Sequence, residues 1–283
     1  MLKLYLIFVL LILSIFIFYF TDFSVKETFD NNNFPKIQSW IINLDKNKDR
    51  LNQSMAYYNS SDLSTIPIKR YSAIVGANLE PENLLSQIAN EELYQTLNRG
   101  YRTRHYQLTK GGIGCYLSHM NLYKQLIDDP VHDVYLILED DIKINYDTKK
   151  TIDNILTNFS EGWDFMLLGY LQLFNYKIES PSQLQNTINK VTTAKYAKVK
   201  SFWGMHAYLI NKRGAAKFLK EHSIIECQID SFISWLAIKN KINIYSITTP
   251  VIFPDSFYTD IQMNIFPKDM VDAFTYRDVY LGE

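Results

Sequence analysis

Val134-Tyr135-Leu136-Ile137-Leu138 is an unbroken run of large apolar and aromatic side chains, and Glu139-Asp140-Asp141 follows it without a spacer. A short run with no polar member reads as a buried strand of an α/β sheet. Ligands of open α/β sheets bind outside the carboxyl ends of the strands. The three carboxylates therefore stand where such a ligand would lie. Clustered acids repel one another unless a cation neutralises them, and a hard divalent metal holding a diphosphate would do so. A solvated acidic turn is the bland alternative. The buried strand before the acids favours the functional one.

Other segments extend the pattern. Ser39 to Leu44 predicts a first strand, and a helix capped by Asp49 runs on to about Tyr58. Ile66 to Ile74 predicts a second strand ending near Gly76. Residues 80–108 are polar and mixed, with a basic-aromatic patch at Arg99, Tyr101, Arg102, Arg104, His105 and Tyr106. Gly111-Gly112-Ile113-Gly114 precedes a predicted helix from about Cys115 to Ile127. Asp164 opens a strand through Gly169. Residues 171–197 lack a period and read as an insertion or mobile loop. Ala207 to Ile210 and Ile242 to Ile247 predict strands; Arg213 to His222 and Ile229 to Ile238 predict helices. Strands alternating with helices indicate an α/β fold with a mixed, mostly parallel sheet flanked by helices.

The amino terminus adds a second class of signal. Leu4 to Phe20 is apolar and aromatic throughout, with Ser14 its only weakly polar member. A helical span takes ~20 such residues, and ~17 at the short end. No small-residue cleavage site follows, so an uncleaved signal anchor is expected rather than a removed signal peptide. Residues 1–21 are thus expected to be a transmembrane helix, 22–36 a polar stem, and 37–283 one α/β domain. Lys3 and the amino terminus before the run, against Asp22, Lys26, Glu27 and Asp30 after it, place the amino terminus in the cytosol and the domain in a lumenal or extracytoplasmic space. Asn52, Asn59 and Asn158 head N-x-Ser triplets, usable only in a eukaryotic secretory lumen.

Composition mainly excludes. A net charge of -1 gives no electrostatic case for nucleic acid. Cys115 and Cys227 are the only cysteines, which is neither a disulfide framework nor a Cys/His metal cluster. Two buried thiols are expected, a single bridge being the alternative. The glycine cluster at 111–114 lacks the dinucleotide and P-loop spacings, so a tight turn is its plain reading. Ser118 and His119 are adjacent on a helix and do not face each other, which weakens a nucleophile–base reading. His206, near a strand start, is open between ligand and core residue.

Five pieces in order carry a family resemblance. Trp40-Ile41-Ile42-Asn43-Leu44-Asp45 with Asp49-Arg50 resembles the opening of glycosyltransferase family 25. Arg70-Tyr71-Ser72-Ala73 with Gly76 and Leu79 resembles its second segment. Gly111 through His119 is similar to its G-E-I-G-C-x-L-S-H signature, Tyr135 to Asp141 to its L-x-L-E-D-D, and Trp163-Asp164 with Leu167-Leu168-Gly169 to its W-D-x-x-x-L-G. Gly112 and Val75 depart from the acidic residues usual at those places.

The resemblance implies a GT-A-like domain that moves a hexose, galactose or glucose, from a UDP-sugar to a glycan or hydroxylated-protein acceptor, with inversion and with Mn²⁺ or another divalent cation. It implies Asp141 as metal ligand and Glu139 as ribose, water or metal contact, with Asp140 open to either role. Asn43, Leu44, Arg50, Gly114 and His119 are carried over to the donor site. Asp230, in the first turn of a predicted helix, is the expected base, with helix capping as its plain alternative; Asp164 is the runner-up. A binding-only relative without activity is the competing class. The intact acid triplet argues against it.

Overall fold

The computed structural model describes residues 34–158, 162–179, 196–255 and 260–261. Its centre is an eight-stranded sheet in the order β2-β1-β3-β8-β5-β9-β7-β6. These strands are β1 (Ile37–Asn43), β2 (Ile68–Ser72), β3 (Val134–Glu139), β5 (Phe165–Gly169), β6 (Gln172–Glu179), β7 (Tyr196–Trp203), β8 (Ala207–Asn211) and β9 (Ile244–Ile247). The pairs β1–β2, β1–β3 and β5–β9 are parallel. β8 and β7 run against their neighbours, so the other six strands share one direction. A separate antiparallel pair joins β4 (Ile142–Ile144) to β10 (Ile252–Pro254).

The helices are α1 (Lys48–Ser60), α2 (Gln87–Arg99), α3 (Lys110–Asp128), α4 (Thr148–Asn158), α5 (Lys212–Glu221) and α6 (Ile229–Ile238). They cover both faces of the sheet, and β3 shows why both must be covered. Its Tyr135 and Ile137 enter the cluster with Ile113, Tyr123, Phe218 and Phe232 of α3, α5 and α6. Its Val134, Leu136 and Leu138 enter the cluster with Tyr58 of α1 and Ile152 and Ile155 of α4. Tyr135 through Leu138 are fully inaccessible. Burying each such side chain contributes ~1.5–3 kcal/mol. The run without polar members is thus the central strand that feeds two cores.

Several expectations shift. The glycine cluster does not precede its helix but forms its first turn, because Thr109 accepts a hydrogen bond from Gly112 N at 2.9 Å and starts α3 five residues earlier. Residues 80–108 hold α2, whose ends carry signals the mixed composition hid: Ser86 caps Ala89 N, and Gly100 closes the helix in the left-handed conformation at φ 77°. The stretch expected to be an insertion contributes the hairpin strands β6 and β7 at its ends. β6 is an edge strand, so polar residues such as Gln172 and Lys177 sit there without cost and erase the period. β4, β10 and α4 were also not foreseen. Among the described residues no helix is long and apolar enough to cross a membrane. The run Leu4–Phe20 lies outside the described residues, as does most of the expected stem.

Candidate active site

β1, β2 and β3 end side by side, with Asn43 level with Ser72 and Ile42 level with Glu139. The chain leaving each strand turns outward, and a cleft of about 350 Å³ opens there. One wall is apolar, from Ile42, Leu44, Ala73, Ile74 and Val75. The other is charged, from Arg50, Glu139, Asp140, Asp141 and Asp260. An apolar wall beside a charged end suits a molecule that is part ring and part anion.

The charged end is organised by Arg50. Its guanidinium donates to Asp140, lies 3.1 Å from an Asp141 oxygen and reaches Asp260 at 3.3 Å. Burial opposes the charge on Arg50, but Asp141 and Asp140 outweigh it and hold its pKa above the ordinary value. Asn43 donates to Asp140 Oδ2 at 2.6 Å, and Ser54 donates to the Asp140 carbonyl at 2.7 Å. Asp140 is thereby fixed as the anchor of the triplet. Its carboxyl is nevertheless raised, chiefly by burial. Asp141 has less support. Burial, then the negative charge of Glu139, lifts its pKa to about 7. Glu139 goes the other way: burial would raise it, but His119 beside it brings it below the usual carboxylate value.

The glycines of the signature let α3 approach the cleft loop. A Cβ on Gly114 would stand 2.4 Å from Ile74 O, and one on Gly76 would stand 1.7 Å from Lys110 O. Neither position has room for a side chain. Ser118 fastens the same contact. Its hydroxyl donates to Gly114 O at 2.7 Å and accepts from Ile74 N at 2.9 Å. Ser118 is therefore a clamp and His119 does not activate it. His119 instead sets Nδ1 2.7 Å from Tyr208 Oη and faces Glu139 with Nε2.

Leu44, Arg50, His119, Glu139, Asp140 and Asp141 thus line one cleft. Asn43 and Gly114 support it from behind. Asn43 is spent on Asp140, the Asn47 carbonyl and Arg70, whose Nε donates to Asn43 Oδ1 at 2.9 Å. Asp230 lies in the first turn of α6 at the same end of the sheet, beside the Gly204 turn that leads into β8. It accepts from Gly204 N at 3.1 Å and meets His105 Nε2 at 2.8 Å. Burial would raise its pKa, yet His105 and then the Gly204 amide hold it below normal.

Asp164 is placed elsewhere. Phe165 is level with Ile210, as is Tyr135, so Asp164 sits at the start of the strands, where Val134 also begins. Glu139 is five residues further along β3, roughly 16 Å at ~3.3 Å per residue. A base must come within hydrogen-bond reach of its proton. Asp164 is fully buried and bonded to Arg213 Nε at 2.8 Å, Lys217 Nζ at 2.8 Å and Asn243 N at 2.7 Å. It ties α5 to the sheet and does not reach the cleft. His206 resolves as a core residue, 3% exposed, with Nε2 3.2 Å from Ile252 O.

Sequence reasoning missed Asp260, Lys46, Asn47, Lys110 and Cys115 as cleft residues. Lys46 and Asn47 follow directly on the first strand and its Asp45, and their position after a strand end was a usable signal. Asp260 had none. It arrives from a distant part of the chain to meet Lys46 at 2.6 Å.

The family model described as glycosyltransferase family 25 (LPS biosynthesis protein) matches residues 36–233, which include the three strand ends, the acid triplet and Asp230. The chain belongs to glycosyltransferase family 25. Procollagen galactosyltransferase 2 of Homo sapiens is 26% identical over 67% of this chain and 28% of its own length. Procollagen galactosyltransferase 1-B of Xenopus laevis is 25% identical over 78% of this chain and 34% of its own. A glycosyltransferase 25 family member of Aedes aegypti is 26% identical over 64% and 28% respectively. The chain spans about a third or less of the length of these relatives. Asp260 lies beyond the region that defines this family 25 chain, so one acid of the cleft is supplied from outside it.

Proposed function

We propose that this family 25 chain is a metal-dependent, inverting hexosyltransferase with a GT-A-like domain. It takes a UDP-sugar, of galactose or glucose, as donor and a glycan or protein hydroxyl as acceptor. The observation that carries this reading is the acid triplet facing an apolar-walled cleft at the carboxyl ends of β1, β2 and β3. The apolar wall from Ile42 to Val75 takes the nucleoside, and the charged end takes the diphosphate.

The donor set fits a hard divalent cation such as Mn²⁺. Asp141 is raised to about 7 by burial and by Glu139 although it shares the Arg50 guanidinium with Asp140 and Asp260, and all-oxygen donors suit such an ion. Asp141 and Glu139 would hold it, and when bound it supplies positive charge to the leaving diphosphate. Asp140 keeps Arg50 in place, and Arg50 and Lys46 offer further positive charge at the same end. Asp230, kept ionised by His105, takes the acceptor's proton. The acceptor oxygen then bonds to the anomeric carbon while the bond from that carbon to the diphosphate breaks. Displacement from the opposite side inverts the centre. The apolar run Leu4–Phe20 meets the short end of a membrane span and supports a single-pass anchor, and Lys3 ahead of it supports a cytosolic amino terminus.

Incubating the purified protein with UDP-galactose or UDP-glucose, with Mn²⁺ or with a chelator, tests the reading. Metal-dependent release of UDP and transfer to a glycan or hydroxylated peptide array, read by mass spectrometry, is the expected outcome. Failure to bind either donor with any divalent cation would sink it. Tight donor binding without transfer or hydrolysis would favour the binding-only class.

A further inference from the structure

Cys115 and His119 are one turn apart on α3, and Glu139 ends β3 beside them. One ligand atom from each of the three lies within 4.8 Å of the others. His119 has no solvent exposure. Its Nδ1 is held by Tyr208 Oη, which is itself 2.7 Å from Tyr123 Oη. The ring is therefore fixed from behind by a pair of buried tyrosines. Its Nε2, aimed at Glu139, has no hydrogen-bond partner. The closest Glu139 oxygen is 3.9 Å away, beyond hydrogen-bond range. A buried ring nitrogen left unpaired is unusual. An imidazole oriented through its other nitrogen is how proteins aim histidine at a metal.

We propose that Cys115, His119 and Glu139 form a binding site for a borderline-soft divalent cation, Zn²⁺ in the cell, whose occupancy shuts the donor cleft. Thiolate, imidazole and carboxylate together select Zn²⁺ over Mg²⁺ or Mn²⁺. The site is therefore separate in chemistry from the all-oxygen position at Asp141. Zn–S of ~2.3 Å and Zn–N of ~2.0–2.1 Å in a tetrahedral site set ligand atoms roughly 3.3–3.6 Å apart, so atoms now spaced within 4.8 Å of one another must draw together. The Glu139 side chain is 27% exposed and supplies the small closure needed. The thiol proton leaves to solvent as the metal–sulfur bond forms, and no electron is transferred. Zn²⁺ there would withdraw Glu139 from the cation that receives the donor's diphosphate. That inhibitory half rests on the metal-binding role proposed for Glu139; the binding half does not.

Co²⁺ serves as a spectroscopic stand-in for Zn²⁺, titrated into the purified full chain without any sugar. The expected result is one bound ion with a thiolate-to-cobalt charge-transfer band in the near ultraviolet, displaced by Zn²⁺. Cys115→Ser should remove the band, and His119→Gln should weaken binding by about tenfold or more. Absence of the band in the unaltered protein, or its survival in Cys115→Ser, overturns the site. Should Cys115→Ser fail to fold, Cys227→Ser decides: a retained band assigns the thiolate to Cys115, and a lost band refutes it. In transfer assays Zn²⁺ should raise the apparent KM for donor. Cys115→Ser, compared with its own zinc-free rate, should need about tenfold more Zn²⁺ for the same effect. Equal zinc sensitivity would overturn the inhibitory half alone. Because the band is read without donor, failure of the transferase reading leaves the metal assignment standing.

Discussion

Replacing Asp164 with asparagine separates an anchor from a base. Asp164 has no accessible surface and accepts from Arg213, Lys217 and the Asn243 amide. Asparagine keeps the shape but loses the charge, and its amide group must point at one of the two cations. Two charge-assisted hydrogen bonds of ~1.5–3 kcal/mol each are at stake. The side chains of Arg213 and Lys217 are 26% and 36% exposed, so both recover part of their solvation by turning outward. The net cost is then ~2–4 kcal/mol. At ~2–4 °C per kcal/mol for a domain of this size, Tm should fall by roughly 5–15 °C.

The base reading makes the opposite prediction. Loss of a positioned general base lowers turnover by ~10²–10⁴ and need not touch stability. Differential scanning calorimetry and transfer kinetics, run well below the melting range, separate the two. A large fall in Tm with turnover within a few-fold of the parent is expected. An unchanged Tm with turnover down by ~10² or more would place Asp164 in the chemistry. It would also refute the argument that a residue roughly 16 Å along the strands cannot serve the cleft.

Asp141→Asn should abolish transfer. It should also flatten the pH dependence of the metal-free protein's Tm: a carboxyl raised to about 7 from ~3.9 contributes stability that is full below ~4 and lost as pH rises through about 7. Parallel wild-type and variant melting curves from pH 4 to 8 would refute that. Asp230→Asn should leave donor affinity within a few-fold, measured by calorimetry, and reduce transfer by ~10²–10⁴. Because the Asp230 pKa is held below normal, its stabilisation is present at neutral pH and lost on acidification through that lowered value, a loss the variant should not show. Gly114→Ala, whose new Cβ would meet Ile74 O at 2.4 Å, should cost ~1–3 kcal/mol by overpacking and weaken donor binding, read by thermal melting and donor titration.

The legible part of this molecule is the part whose physics is local in the chain. An apolar run with both faces to bury could only be a central strand, and the acids after it could only lie at the sheet's carboxyl edge. The cap at Ser86 and the stop at Gly100 were equally local, and were lost only because polar residues between them masked the helical face. Asp164 and Asp230 show where local reading ends. Each is an acid at the start of a regular element, and nothing nearby in sequence distinguishes them. What separates them is strand direction: β5 starts at the edge where Val134 begins, whereas α6 starts at the edge where Glu139 ends.

The charge balance of the cleft is the other non-local quantity. Asp260 is more than a hundred residues from the triplet, yet it and Asp140 take opposite sides of one guanidinium. Asp140, Asp141 and Asp260 share that guanidinium; burial and the charge of Glu139 still leave Asp141 raised, while Glu139 turns to His119 instead. These two acids therefore face two different neighbourhoods. Asp141 lies among carboxylate oxygens at the charged end of the cleft, where the proposed hard cation would sit. Glu139 faces an unpaired imidazole and a thiol, which calls for a softer one. Two dications drawn to that one carboxylate would repel each other, so filling one site disfavours the other. Competition for Glu139 is thus the point at which the proposed transfer chemistry and the proposed zinc site meet.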